Sequence, residues 1–363
     1  MTVASPRRRW RGRRAAGLLA LGCALTVAAA ACGSSTPTAS PGTAGPHSIV
    51  QLGDSVAAGE GTLYGYRYDQ ATQTWRGGDI DATWPGPSPL CHDSPFAYGQ
   101  VLARTDRARF AQFACTGATF AHGVSGPKYT TGLFTTSRVQ PAQFGDWTTG
   151  QHLNARYDRA RPDLVLVTLG ADDVTFSQIV KACVENALVR RLDDSVALQC
   201  TTADPGAAVE NDFFGRLPAL GRDYATLARW IVARGRADHL VPKVVFTTYY
   251  DPLPTGTTSC PDSELLDHAQ ITYLTARLTE LNALIETTVH DLHDPGIGVV
   301  DLTDAFDGHR WCSPQPWVYG LSIFSLTHPT SLLSQAPFHP TPRGQARIAR
   351  LVGPEADRLL AAR

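Results

Sequence analysis

The sequence predicts a three-layer α/β/α domain around a mostly parallel five-stranded sheet, and three observations carry that expectation. Segments of strand and helix character alternate from residue 48 to the C-terminus. Leu164–Leu169 is a continuous apolar run and Val244–Tyr249 a second strand of the same kind, as expected of strands covered on both faces. The first strand ends abruptly in Gly53-Asp54-Ser55. Open α/β sheets bind ligands at the carboxyl ends of their strands.

Taken in order, Ser48–Leu52 reads as the first strand, and Ser55 opens a turn with Gly59 and Gly61 just beyond. Residues 62–94 are rich in Gly, Pro, Asp, Tyr and Trp without a clear period and are expected to form a long surface loop. Ser94 is expected to cap a helix with Pro95 at its first position and Phe96, Tyr98, Val101 and Leu102 on its buried face. Phe110–Ala114 reads as the second strand, ending at Cys115-Thr116-Gly117, and residues 120–150 as irregular. Leu164–Leu169 leads into Gly170-Ala171-Asp172-Asp173, and a helix should run on through Val189. Helices are expected over 209–235, 262–290 and 342–360, with strands at Val244–Tyr249 and Ile297–Asp301 between them. No internal repeat and no second domain boundary is visible.

The N-terminus differs in kind. Arg7, Arg8, Arg9, Arg11, Arg13 and Arg14 form a basic stretch without acids, and residues 15–31 are almost wholly small and apolar. This pattern is an export signal over residues 1–31. Two processing modes fit: an Ala-x-Ala cleavage site at 29–31, or a bacterial lipobox in which Cys32 carries the lipid, although position 29 is Ala where a lipobox usually has Leu. The paired arginines also permit twin-arginine export. Residues 32–46 have the composition of a flexible tether, so the folded domain is expected to span 47–363. Removing the signal leaves 26 basic against 33 acidic residues, a net charge of about −7. That excludes a basic nucleic-acid footprint. Beyond Cys32 there are six cysteines, Cys91, Cys115, Cys183, Cys200, Cys260 and Cys312, an even number that suits disulfides in an exported chain. They allow 15 connectivities; the expectation is pairing in sequence order, 91–115, 183–200 and 260–312. No spacing suggests a metal, and no cofactor is expected.

Ser55, at a strand end among small neighbours, is a candidate nucleophile. A nucleophilic serine needs a histidine to take its proton and N–H donors for the oxyanion. In a parallel sheet Gly117 and Asp172 would reach the same rim as Ser55, and His339-Pro340-Thr341 precedes the last helix. A flavodoxin-like nucleotide site is disfavoured, because no glycine-rich phosphate loop follows the first strand.

Gly53-Asp54-Ser55, Gly117, Gly170-Ala171-Asp172-Asp173 and His339-Pro340 resemble the ordered blocks of the SGNH hydrolases, also called the GDSL lipase/esterase family. The likeness is greatest to secreted actinobacterial members, which have six mature cysteines and segments like Cys115-Thr116-Gly117-Ala118 and His309-Arg310-Trp311-Cys312. The resemblance covers about residues 47–360. It implies that Ser55 is the nucleophile and, through its N–H, an oxyanion donor; that Gly117 N–H is a second donor; and that His339 is the general base. It implies a serine esterase or lipase acting on carboxylic esters of lipids or acylated sugars; the chain is expected to be exported and monomeric, and a lipid on Cys32 would tether it to a membrane. The alternative is a weak or inactive surface binding protein on the same scaffold.

Two positions depart from the family pattern. Asp172 stands where the family usually has an Asn donor to the oxyanion, so the carboxyl must be protonated, point away, or be dispensable. Ala336 stands three residues before His339, where the family often has an Asp, so a Ser–His pair aided by a backbone carbonyl from Ser334–Pro337 is expected. Asp54 is expected to brace the turn and Asp173 to cap the next helix. His328-Pro329 is read as an ordinary loop pair. His92, His122 and His309 are expected either beside the site or in solvent, and Trp75, Trp84, Trp147, Trp311 and Trp317 either in an acyl pocket or in the core.

Overall fold

In the computed structural model every residue of Ser48–Gly53 (β1) and Leu164–Thr168 (β7) is buried, which requires cover on both faces of the sheet. The structure describes residues 47–78, 84, 89–130, 138–145, 155–192, 206–255, 260, 266–321 and 336–362. The expected signal and tether, with Cys32, lie outside the described residues, as do Trp147, Cys200 and His328.

The elements follow in chain order. After β1 come a one-turn helix, Ser55–Ala58 (α1), and a hairpin, Arg67–Asp69 (β2) with Thr74–Arg76 (β3). Then follow Tyr98–Thr105 (α2), Arg109–Gln112 (β4), a second small hairpin of Lys128–Thr130 (β5) and Arg138–Gln140 (β6), and Ala155–Ala160 (α3). Beyond β7 lie Phe176–Leu192 (α4), Gly206–Ala237 (α5), Lys243–Thr247 (β8), His268–Asp291 (α6), Ile297–Val300 (β9) and Pro342–Ala361 (α7). The central sheet has five strands in the order β4-β1-β7-β8-β9, all parallel. Numbered among themselves the strands run 2-1-3-4-5, so the connection reverses direction beside β1, where such folds open a crevice. α2 packs with α7, and α4, α5 and α6 pack with one another, giving the outer layers.

Four local expectations are corrected. The stretch 62–94 is not one irregular loop: it contains the β2–β3 hairpin, and Tyr64, Trp75 and Trp84 close with Tyr319 and Ala336 into a small buried aromatic cluster. Residues 120–150 contain the β5–β6 hairpin. Ser94 does not cap α2. Its hydroxyl accepts from Phe96 N at 3.0 Å and meets Thr62 Oγ1 at 2.6 Å, and the helix starts only at Tyr98. The missing cap comes from another helix: Gln345 Oε1 of α7 accepts from Tyr98 N at 2.9 Å. Asp173 does not cap α4; its Oδ1 accepts from Phe120 N at 2.8 Å. The last helix matches its local signals, with Thr341 as N-cap and Pro342 in the first turn.

Cys91–Cys115 and Cys260–Cys312 are disulfides. Cys183 is also disulfide-bonded, and its expected partner Cys200 lies outside the described residues.

Gln345 ties three elements, because its Nε2 also donates to Val56 O of α1 at 2.9 Å and its side chain is fully buried. Gln345→Ala leaves an N–H and a carbonyl unpaired in the core, at about 1–3 kcal/mol each. Urea denaturation is expected to register a loss of about 2–4 kcal/mol; a loss below about 0.5 kcal/mol would mean that both groups find other partners.

Candidate active site

The rim of the sheet is assembled around a glycine that cannot be replaced. Gly53 has φ +139°, and a Cβ there would lie 2.0 Å from Thr168 O of β7. Its N–H and carbonyl are both held by the Gln143 carboxamide, each at 2.7 Å. Asp54 then turns the chain: its N–H donates to Thr168 O at 3.0 Å, and its Oδ1 accepts from Val56 N at 3.0 Å. Its Oδ2 accepts from Tyr249 Oη. Ser55 is thereby the first residue of α1, with its hydroxyl on the rim.

His339 reaches that hydroxyl from 284 residues away: Nε2 lies 2.7 Å from Ser55 Oγ. Its Nδ1 lies 3.2 Å from Pro337 O. A carbonyl can only accept, so that contact keeps the proton on Nδ1 and leaves Nε2 free to accept from the serine. The loop carrying the ring is fixed by its own backbone. Tyr319 N donates to His339 O at 3.0 Å, Phe338 N to Tyr319 O at 2.9 Å and His339 N to Ala336 O at 2.9 Å. Phe338 is held at φ +62°, an uncommon conformation for a bulky residue, with Tyr250 Oη donating to its carbonyl at 2.8 Å and Trp311 against its ring. Ala336 is fully buried in the aromatic cluster. A carboxylate there would sit among rings.

Gly117 sits at φ +68° two residues after Cys115. Among the described residues no acceptor meets the N–H of Ser55 or of Gly117. Asp172 follows β7, is half-buried, and accepts from Ser177 Oγ at 3.2 Å. Burial pushes its carboxyl above the ordinary range, against the opposing pull of Ser177, His339 and Lys128. A neutral Asp172 carries an O–H that can donate, as the amide of an Asn would. Burial also pushes Asp54 up to about 8, with the Asp172 charge adding to it.

The reading from sequence passed over two charged residues. Glu60 is completely buried behind Ser55. Its Oε2 meets His92 Nδ1 at 2.6 Å and Thr116 Oγ1 at 2.5 Å, and its Oε1 accepts from Tyr64 Oη at 2.7 Å. A charged residue between two glycines, Gly59-Glu60-Gly61, was the available signal. Lys128, at the start of β5, donates to the carbonyl of Thr116, and nothing local announced it. Of the other candidates, His92 joins this network and stacks on Trp84, His309 stacks on Trp317, and His122 is exposed. Trp75, Trp84 and Trp311 are core residues. Among the described residues no cluster of His, Cys, Asp and Glu could hold a metal ion.

A search of curated proteins finds no match to this sequence. Among solved structures, the chain is similar to the extracellular lipase of Streptomyces rimosus, at 20% identity and a TM-score of 0.50, over 85% of this chain and 97% of that one. It is likewise similar to phospholipase A1 of Streptomyces albidoflavus NA297, at 19% identity and a TM-score of 0.51, over 86% and 98%. At these identities the likeness concerns the fold. Residues 52–347 match the model of one family, from the end of β1 to the first turn of α7 and across both members of the Ser55–His339 pair, and the chain belongs to that family, the GDSL-like lipase/acylhydrolases.

Proposed function

We propose that this protein is an exported serine esterase or lipase that hydrolyses carboxylic esters. The observation that carries the reading is the contact of 2.7 Å between His339 Nε2 and Ser55 Oγ, with Nδ1 turned to the Pro337 carbonyl. Ser55 Oγ attacks the ester carbonyl as His339 Nε2 takes its proton. The N–H groups of Ser55 and Gly117, with a protonated Asp172, receive the oxyanion. His339 returns the proton to the leaving alcohol, and water repeats the sequence to release the acid. The Pro337 carbonyl orients the imidazole in place of a carboxylate.

Export is supported by the basic and apolar N-terminus, the oxidised cysteines and the likeness to a lipase described as extracellular. Attachment through a lipid on Cys32 and a folded domain over 47–363 belong to the same reading. So does a substrate drawn from lipid or acylated-sugar esters.

Purified protein is expected to hydrolyse p-nitrophenyl butyrate, and Ser55→Ala or His339→Ala to reduce kcat by about 10⁴-fold or more. Turnover no faster than that of Ser55→Ala would favour a binding protein on this scaffold instead. The second expectation concerns pH. As pH rises through the raised pKa of Asp172, the wild type loses one O–H donor and gains a negative charge beside the oxyanion. Asp172→Asn keeps a donor throughout. The ratio of kcat/KM, variant over wild type, is therefore expected to climb with pH by about tenfold or more, since one donor is worth about 10²–10³. A variant slower than wild type by the same factor at every pH would give Asp172 a different task.

A further inference from the structure

Two side chains of opposite charge converge on one residue, Thr116. Its hydroxyl donates to Glu60 Oε2 at 2.5 Å, and its carbonyl accepts from the Lys128 ammonium. Glu60 is buried with its oxygens fully engaged by His92, Thr116, Tyr64 and the Gly61 N–H. Burial pushes its carboxyl up, but the bond and charge of His92, the charge of His339 and the Thr116 hydroxyl hold it below the ordinary value, so it stays an anion. Lys128 is half-buried; burial lowers its ammonium, and the charges of Asp172 and Glu60 oppose that.

The Thr116 carbonyl and the Gly117 N–H are the two ends of a single planar peptide unit. Fixing the carbonyl therefore fixes the direction of the N–H. A cation on the carbonyl also draws electron density toward that oxygen and makes the N–H a stronger donor, as in any chain of polarised hydrogen bonds. The lysine is close as well as bonded: a Cβ built on Gly117 would lie 3.3 Å from Lys128 Nζ. It is one of three lysines in a chain with 32 basic residues, and an ammonium is a compact point charge where an arginine would bring a planar fork.

We infer that Lys128 is a positioning residue for the oxyanion donor at Gly117: bound to the Thr116 carbonyl, it sets the plane of the Thr116–Gly117 peptide and polarises its N–H toward developing negative charge. Glu60 holds the same residue through its hydroxyl, so the peptide is clamped from both sides. The inference rests on the esterase reading above and deepens it. It assigns an electrostatic contribution to a side chain that need never touch the substrate.

The test compares wild type, Ser55→Ala and Lys128→Met on p-nitrophenyl butyrate, together with inhibition by phenylboronic acid, which forms a tetrahedral adduct with a serine nucleophile. Lys128→Met is expected to lose about tenfold to a hundredfold in kcat with KM within about threefold, less than the full value of a deleted donor. Boronate affinity is expected to fall by the same factor as kcat/KM, as it must if the loss lies in transition-state binding. Should Lys128→Met fail to fold, Lys128→Cys is assayed before and after alkylation with 2-bromoethylamine, which rebuilds an ammonium of lysine length. Alkylation is then expected to restore kcat about tenfold. A kcat within about threefold of wild type, a loss of kcat without matching loss of boronate affinity, or no gain on alkylation would overturn the inference while Ser55-dependent turnover stands. Wild-type turnover equal to that of Ser55→Ala would overturn the esterase reading and this inference with it.

Discussion

Parallel pairing of β1 with β7 is the constraint on which the rest of the rim depends. In that register Gly53 lies opposite Thr168 and the backbones approach too closely for any side chain on the glycine. The next N–H is then drawn onto the Thr168 carbonyl, and the chain must turn at Asp54. Because β4 pairs with the other side of β1, the segment after β4 arrives at the same edge, and Cys115 N donates to Gly53 O at 3.0 Å. Ser55, Gly117 and Asp172 are thus gathered by strand register. His339 is gathered differently, by a short antiparallel exchange between 317–319 and 338–341 that precedes α7.

The rim is acidic, and its carboxyls divide by their partners. Asp54, Asp172 and Asp173 are all pushed up by burial, and the Asp172 charge adds to the other two, with Asp54 at about 8 and Asp173 at about 7. Glu60 is more deeply buried than Asp172 yet lies below its ordinary value, because the bond and charge of His92, the charge of His339 and the Thr116 hydroxyl outweigh desolvation. Desolvation decides the first group and hydrogen bonding the second. Burial thus shifts Asp172 toward its neutral form, while hydrogen bonds keep Glu60 an anion beside Thr116.

The absence of a carboxylate before His339 has a packing reason. Ala336 fills a gap in the cluster of Tyr64, Trp75, Trp84 and Tyr319, and a Cβ on Gly61 would already come within 3.0 Å of its methyl group. An ionised side chain there would be buried among rings, a desolvation cost that pairing with His339 would have to offset. A backbone carbonyl fixes the tautomer without that penalty but supports the imidazolium less. Glu60 lies within electrostatic reach of His339.

Local signals in the sequence were enough for the buried strands, the Ser-bearing turn after the first of them, the Thr341–Pro342 start of the last helix and the even set of cysteines. Each depends on neighbours a few residues away, or on composition alone. The start of α2 was misjudged because its cap is Gln345, which lies 247 residues from Tyr98. The two small hairpins were missed because they are short and their apolar residues do not alternate over a long enough run. The clamp on Thr116, the Gln143 hold on Gly53 and the Pro337 carbonyl behind His339 belong to the tertiary structure alone. They are set by strand register and loop docking, which bring together groups that no local pattern along the chain relates.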